Sequence, residues 1–294
     1  MAFIHSIKSS FCCKDWQQIW RLNFLIICIP FILNGCGIPT MTGLIDGLNQ
    51  QTDVELVCDG SSSFLLLLDS MLSNKPDNVK LLLNNTKAYS AYVQVMSECG
   101  HPERSEVLSE KAKEYGLRLL REKTGIIKSD SLEMISEKLH KSDKGDVPAL
   151  FWGAYGWARW ISYQQGSPAA VIDLPKIEMI MKRVVELDEN FYNGGAHLFL
   201  GIYYTLKPAI YGGDPEASLF HFEKALSIST RRFLPVLVAH ADSYAKMVFD
   251  RELYQKLLEE VLVFDISTAP DLTLSNIIAQ KQARKLLNEI DEYF

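Results

Sequence analysis

Trp152, Tyr155, Trp157 and Trp160 fall within nine positions of one another, with Arg159 among them. Each aromatic carries a polar tip on an apolar body, a form suited to holding a ligand that is mostly apolar with one charged end. At helical spacing Trp152 and Tyr155 share one face, while Trp157 and Trp160 lie on another. An aromatic stripe is usually core. Four such residues exceed what one buried face needs, so some can line a ligand cavity or a partner groove, with Arg159 as a charged contact. Three histidines follow, His197, His221 and His240, on separate helices that could face one cavity; singly, each also suits a packed or surface position. Tyr204 and the segment Tyr211-Gly212-Gly213-Asp214 complete the candidate set. The paired glycines permit backbone positions closed to other residues. The segment is therefore expected to shape the mouth of a cavity walled by Trp152, His197 and Tyr204.

Covalent chemistry finds little support. The chain has no Gly-x-Ser-x-Gly, no phosphate loop, no His-Glu-x-x-His and no Cys-x-x-Cys. Asp214 or Glu216 beside His197 or His221 is the only plausible acid–base pairing. The expectation is a binding protein with no catalytic residues, no metal and no cofactor.

Cys36 offers a different chemistry. It follows Leu33-Asn34-Gly35 and closes an apolar stretch, Leu22 to Leu33, preceded by Lys8, Lys14 and Arg21. Basic start, apolar middle and small residue before the break form a secretory signal. The apolar part is too short to span a bilayer about 30 Å thick. Leu-x-Gly-Cys resembles a bacterial lipobox, in which the chain is cut before the cysteine and lipid is added to it. The expected organisation is a signal peptide over 1–35, a lipid-anchored tether over 36–55 and a single helical domain over 56–294. Several acyl chains, at about 0.8 kcal/mol per buried methylene, make a stable anchor on the periplasmic side of a bacterial membrane.

Removing the leader takes the net charge from −6 to −8 and leaves 259 of the 294 residues. An acidic chain with no long basic run is unsuited to nucleic acid. Of six cysteines, Cys36, Cys58 and Cys99 remain. An exported chain permits a Cys58–Cys99 disulfide, although two cysteines have no spacing signature and two buried thiols fit equally.

The elements that must position these residues read as helix after helix, with no convincing strand. Asp59-Gly60-Ser61-Ser62-Ser63 reads as a turn capping a helix from Phe64. Helical faces follow over Asn78–Glu98 and Glu106–Lys123, with Pro102 in a first turn. A polar stretch, Lys138–Asp146, reads as a charged loop. Beyond it come helices at Pro148–Tyr163, Asp173–Asp188, Ala217–Ile228, Leu234–Asp250, Glu252–Phe264 and Thr273–Tyr293. Asp214-Pro215-Glu216 combines cap, first-turn proline and first-turn acid. Gly201-x-x-Tyr204, Ser218-x-x-x-Phe222-x-x-Ala225 and Ala241-x-x-Tyr244 resemble degenerate tetratricopeptide repeats. The fold expected is all-α, stacked antiparallel hairpins in a superhelical array, with an ordinary helical bundle as the alternative.

The stretch Glu186-Leu187-Asp188-Glu189-Asn190-Phe191-Tyr192-Asn193-Gly194-Gly195-Ala196, with Gly201-x-x-Tyr204, Lys207-Pro208, Tyr211–Asp214 and Phe222-Glu223-Lys224-Ala225-Leu226, resembles the T component of tripartite ATP-independent periplasmic (TRAP) transporters. Pro76-Asp77-Asn78 and Ala88-Tyr89-Ser90-Ala91-Tyr92 fit the same family. The resemblance implies a periplasm-facing lipoprotein that pairs with the solute-binding P component, self-assembles as a trimer and handles a small, partly hydrophobic ligand. A repeat lipoprotein scaffold for envelope or outer-membrane assembly is the alternative.

One outcome tests the leader directly. Cells fed a labelled fatty acid are expected to transfer label to the wild-type chain and not to Cys36→Ala. Equal labelling of the two excludes the anchor.

Overall fold

Asp53 starts the first long helix, its carboxylate accepting a hydrogen bond from the Leu56 amide at 3.0 Å. The computed structural model describes residues 47–164, 166–206 and 213–294. The expected leader, Cys36 and Tyr211 lie outside them. The described residues fold as all-α, without strands, and Ile45–Phe294 is one unit.

Helices α1 (Val54–Ser73), α2 (Val79–Glu98) and α3 (Pro102–Thr124) pack in succession, α2 against both neighbours. Helix α1 corrects the expected turn at 59–63. Val54, Val57, Ser61, Leu65, Leu68 and Leu72 are buried at helical spacing, and the Ser61 hydroxyl bonds back to the Cys58 carbonyl. Burial of that stripe outweighs the poor helix propensity of Gly60 and the serines. A Cys58–Cys99 disulfide joins α1 to the end of α2, with the two Cα atoms 5.7 Å apart. Across the same three helices, Asp69 accepts from Lys111 Nζ at 2.6 Å and from the Tyr89 and Tyr115 hydroxyls at 2.8 Å each.

Part of the expected charged loop is helical. Helix α4 (Leu132–His140) is capped by Ser131 and buries Ile135 and Leu139; its last residues are the Lys138–His140 that composition alone marks as loop. Helix α5 (Val147–Ser162) then crosses α3 very closely. A Cβ on Gly156 would lie 2.6 Å from the Ala112 carbonyl oxygen, and one on Gly116 2.7 Å from the Gly153 oxygen. Only bare backbone fits there.

A short turn of helix, α6 (Pro168–Val171), leads to α7 (Leu174–Asp188), which packs on α5. Helix α8 (Phe191–Thr205) enters through three left-handed residues, Tyr192, Asn193 and Gly194, with φ of 50°, 57° and 75°. It lies against α7 and against α9 (Pro215–Ile228). At the α8–α9 contact, a Cβ on Gly201 would sit 3.0 Å from the Phe222 ring, and the Ser218 hydroxyl donates to the Gly201 carbonyl at 2.8 Å.

Helix α10 (Pro235–Ala239) continues as a π-helical segment, His240–Ala245, where a single α-helix was expected. Widened turns of this kind accommodate a residue that the regular ladder cannot place. Here buried His240 stacks on Phe222 at 4.8 Å. Helices α11 (Arg251–Val263) and α12 (Thr273–Asn288) close the chain. Tyr254, Leu257, Leu258, Val261, Ala279 and Ala283 from this pair share a buried cluster with Phe222 and Ala225 of α9.

Two substitutions test the crossings. Gly156→Ala forces α3 and α5 apart, and Gly201→Leu drives a side chain into Phe222. Each should cost about 1–3 kcal/mol, lowering Tm by about 2–4 °C per kcal/mol for a domain of this size. Thermal scans that match wild type would reject the packing described.

Candidate functional site

The sequence-derived site residues separate into two side-chain clusters. The first is built on α5. Trp152 and Tyr155 lie edge to face at 5.7 Å, and Tyr155 stacks on Phe151 at 5.8 Å. Tyr192, at the left-handed entry to α8, places its ring 4.7 Å from Trp152, 5.5 Å from Phe151 and 5.9 Å from Phe233. Despite three aromatic neighbours, Tyr192 keeps 43% of its surface open to solvent. It therefore lies at the surface of the cluster and does not fill a core. The entry depends on glycine at 194 and 195. Gly194 has φ +75°, and a Cβ on Gly195 would lie 2.7 Å from the Phe151 ring.

Polar tips in this cluster are incompletely satisfied. Trp152 Nε1 is buried with no hydrogen-bond acceptor among the described residues. Lys87 of α2 sets its ammonium 5.5 Å from the centre of the Trp152 ring. Arg159 lies two helical turns beyond Trp152 on the same stripe, its guanidinium 5.8 Å from the Tyr163 ring.

The second cluster spans α7, α8 and α9. His197 and His221 face each other with Nδ1 atoms 2.8 Å apart. One Nδ1 must donate and the other accept, which couples the tautomers of the two rings. Tyr204 stacks on His221 at 5.7 Å and donates its hydroxyl to Glu178 at 2.9 Å. Lys182 pairs with Glu178 at 2.7 Å. Burial alone would raise the Glu178 carboxyl, but hydrogen bonds from Lys182, Tyr203 and Tyr204 outweigh it and hold it below the usual range. Burial, the neighbouring His197 and Lys182 push His221 down to about 4. Burial also lowers His197, against the opposing pull of Glu189, whose carboxylate is 3.6 Å from Nε2.

The structure thus brings Trp152 and Tyr155 together, and His197 and Tyr204 together, in different places. His240 belongs to neither cluster. Asp214 serves as a helix cap, its carboxylate accepting from the Ala217 amide at 2.9 Å while its own amide donates to the Tyr204 carbonyl. With its carboxylate engaged in the cap, Asp214 is a poor candidate for acid–base work beside the histidines. Among the described residues, no group of three or more His, Cys, Asp or Glu side chains could hold a metal. A recess of about 410 Å³ between Glu223, Leu226, Ser227, Thr230 and Arg231 is lined by none of the sequence-derived site residues. Sequence reasoning missed Tyr192 and Lys87. Asn193-Gly194 marks a left-handed turn, a signal that pointed to the bend but not to the ring it turns inward.

A family model described as "TRAP transporter T-component" matches residues 50–294. An uncharacterized protein of Treponema pallidum (strain Nichols) is 22% identical over 162 residues, covering 54% of this chain and 50% of that relative. The chain therefore spans about half the length of the relative it matches.

His197, His221 and His240 set an acid response. Their folded pKa values lie below the unfolded value of about 6.5, with His221 and His240 at about 4. The unfolded chain then binds more protons in that interval, so stability is full above pH 6.5 and is lost as pH falls toward 4. Carboxylates with lowered pKa lose their contribution only near and below about pH 4. Between pH 6.5 and 5 the decline belongs to the histidines. Chemical denaturation across that window should show it, and His221→Gln should flatten it. A slope unchanged in the variant rules out His221 as a source.

Proposed function

The chain belongs to the TRAP transporter T-component family, and on that premise we propose that it binds the periplasmic solute-binding component of the transporter and a small, partly hydrophobic ligand. The family is a transporter component, so the reading needs no covalent step. The observation that carries the ligand half is the aromatic wall of Trp152, Tyr155 and Tyr192, in which Tyr192 stays open to solvent amid three other rings. A wall of that kind accepts an apolar body by burial and orients it by the few polar tips that remain.

The second cluster serves the partner half. Tyr204, His197 and His221 lie on α8 and α9, the two helices that the sequence through Tyr211 connects. Asp214 anchors the far end of that segment by capping α9. The segment forms the mouth through which ligand passes between the two proteins. Lipid on Cys36 holds the chain at the membrane on the periplasmic side, where a Cys58–Cys99 disulfide is stable. The functional unit is a homotrimer.

Sedimentation tests the partner half. The Cys36→Ser chain, free of its anchor, is mixed with the cognate solute-binding protein at concentrations well above micromolar. Co-sedimentation supports the reading, and Tyr211→Ala should weaken it. Independent sedimentation of the two proteins rejects it in favour of the envelope-assembly scaffold. For the ligand half, Tyr192→Ala should weaken binding of a ten-carbon alkyl probe by about tenfold, the equivalent of about 1.4 kcal/mol. Helical content by circular dichroism should be unchanged.

A further inference from the structure

Helix α1 is apolar on both of its faces. Its inner stripe, from Val54 to Leu72, is buried in the domain. Its outer face in the second half carries Leu66, Leu67 and Met71, with Leu66 69% and Leu67 52% exposed. From Gly60 to Asn74 every exposed residue is uncharged. The single acid in that span, Asp69, is taken up by Lys111, Tyr89 and Tyr115. Helix α3 extends the patch. Arg104 reaches the Ser62 hydroxyl at 3.3 Å and Lys111 reaches Asp69 at 2.6 Å. Val107, between those two anchors in sequence and 68% exposed, therefore lies level with the same half of α1. By length and composition α1 could cross a membrane. Its buried inner stripe and the Cys58–Cys99 bond hold it to the domain instead, so its outer face can only lie on a surface.

We propose that Leu66, Leu67, Met71 and Val107 seat the domain on the bilayer, entering the boundary between headgroups and acyl chains. This rests on the lipid anchor at Cys36 proposed above and adds the face that the domain turns toward the membrane. Only residues 37–53 separate that cysteine from α1, at most about 60 Å of fully extended chain. The first long helix is thus kept within reach of the bilayer, and a contact too weak to hold a free protein becomes effective once it is intramolecular. A second copy of the chain suits the patch less well. A stable protein interface takes about 800 Å² from each partner, and four apolar side chains on the outside of a helix pair fall short of that. The seat is apolar rather than ionic, in keeping with a chain of net charge −6.

Depth-dependent fluorescence quenching on the lipid-bearing chain tests the seat. Leu67→Cys and, as a control on α11, Val263→Cys each carry a polarity-sensitive dye. Val263 is also exposed. The protein is added to vesicles of phosphatidylcholine brominated on its acyl chains. Dye at 67 should be quenched at least about threefold more than dye at 263. Raising the salt to about 0.5 M should leave that difference in place, because screening acts on charges and not on apolar burial. With Leu66, Met71 and Val107 all changed to Ser, the dye at 67 should fall to the level of 263. Tm should stay unchanged, since the three side chains are exposed. Equal quenching at 67 and 263 in a chain that floats with the vesicles overturns the seat and leaves the anchor standing. A chain that does not float overturns both. Loss of the difference in high salt overturns the apolar character of the seat. A blue shift at 67 in the Cys36→Ser chain without vesicles, growing with protein concentration, assigns the face to a second copy and overturns the lipid assignment.

Discussion

The contact between α3 and α5 is the constraint from which the rest of the arrangement follows. Ala112 and Gly116 on one helix meet Gly153 and Gly156 on the other, with backbone oxygens where side chains would otherwise lie. So close an approach fixes the rotation of α5 about its own axis, because any other face would present a bulkier residue. Trp157 and Trp160 are thereby committed to packing, Trp157 with no exposed surface. The neighbouring stripe, Trp152, Tyr155 and Arg159, is turned away from the crossing toward Lys87 and Tyr192. Core and site are two faces of one rotational setting.

Much of the architecture is legible in the chain where a local rule and the tertiary structure agree. Asp214-Pro215 starts α9 where cap chemistry says it should, and Pro102 opens α3. Legibility fails where packing overrides the local rule. Gly60 and its serines look like a turn, yet the stripe buried beneath them carries a helix through. Lys138–His140 are polar enough to pass for loop, yet they end a helix that buried Ile135 and Leu139 hold in place. The π-helical turn at His240 depends on Phe222, a partner from another helix that no window of sequence contains.

The site divides in the same way. Trp152, Tyr155 and Arg159 were readable because i, i+3 and i+7 spacing places them on one face whatever surrounds the helix. Their neighbours were not. Tyr192 is aimed at Trp152 by three left-handed residues in succession, two of them not glycine. Such backbone is strained by roughly 1–2 kcal/mol per residue, so it persists only where contacts such as those with Phe151 and Phe233 hold it. The facing of His197 and His221 likewise follows from how α8 and α9 cross. Sequence placed those two histidines on different helices, and only the packing put their Nδ1 atoms side by side.

The Cys58–Cys99 bond also has a mechanical meaning. Tension entering the folded chain from its N-terminal side reaches Cys58 within the first helical turns of α1. From there the shortest covalent route runs through sulfur to Cys99 and on into α3, bypassing the 40 residues between. Most of α1 and all of α2, including the Lys87 that overlies Trp152, sit in the unloaded loop. A pull on the chain is therefore borne by α3 and its glycine crossing with α5, and the geometry around Trp152 is shielded from the load.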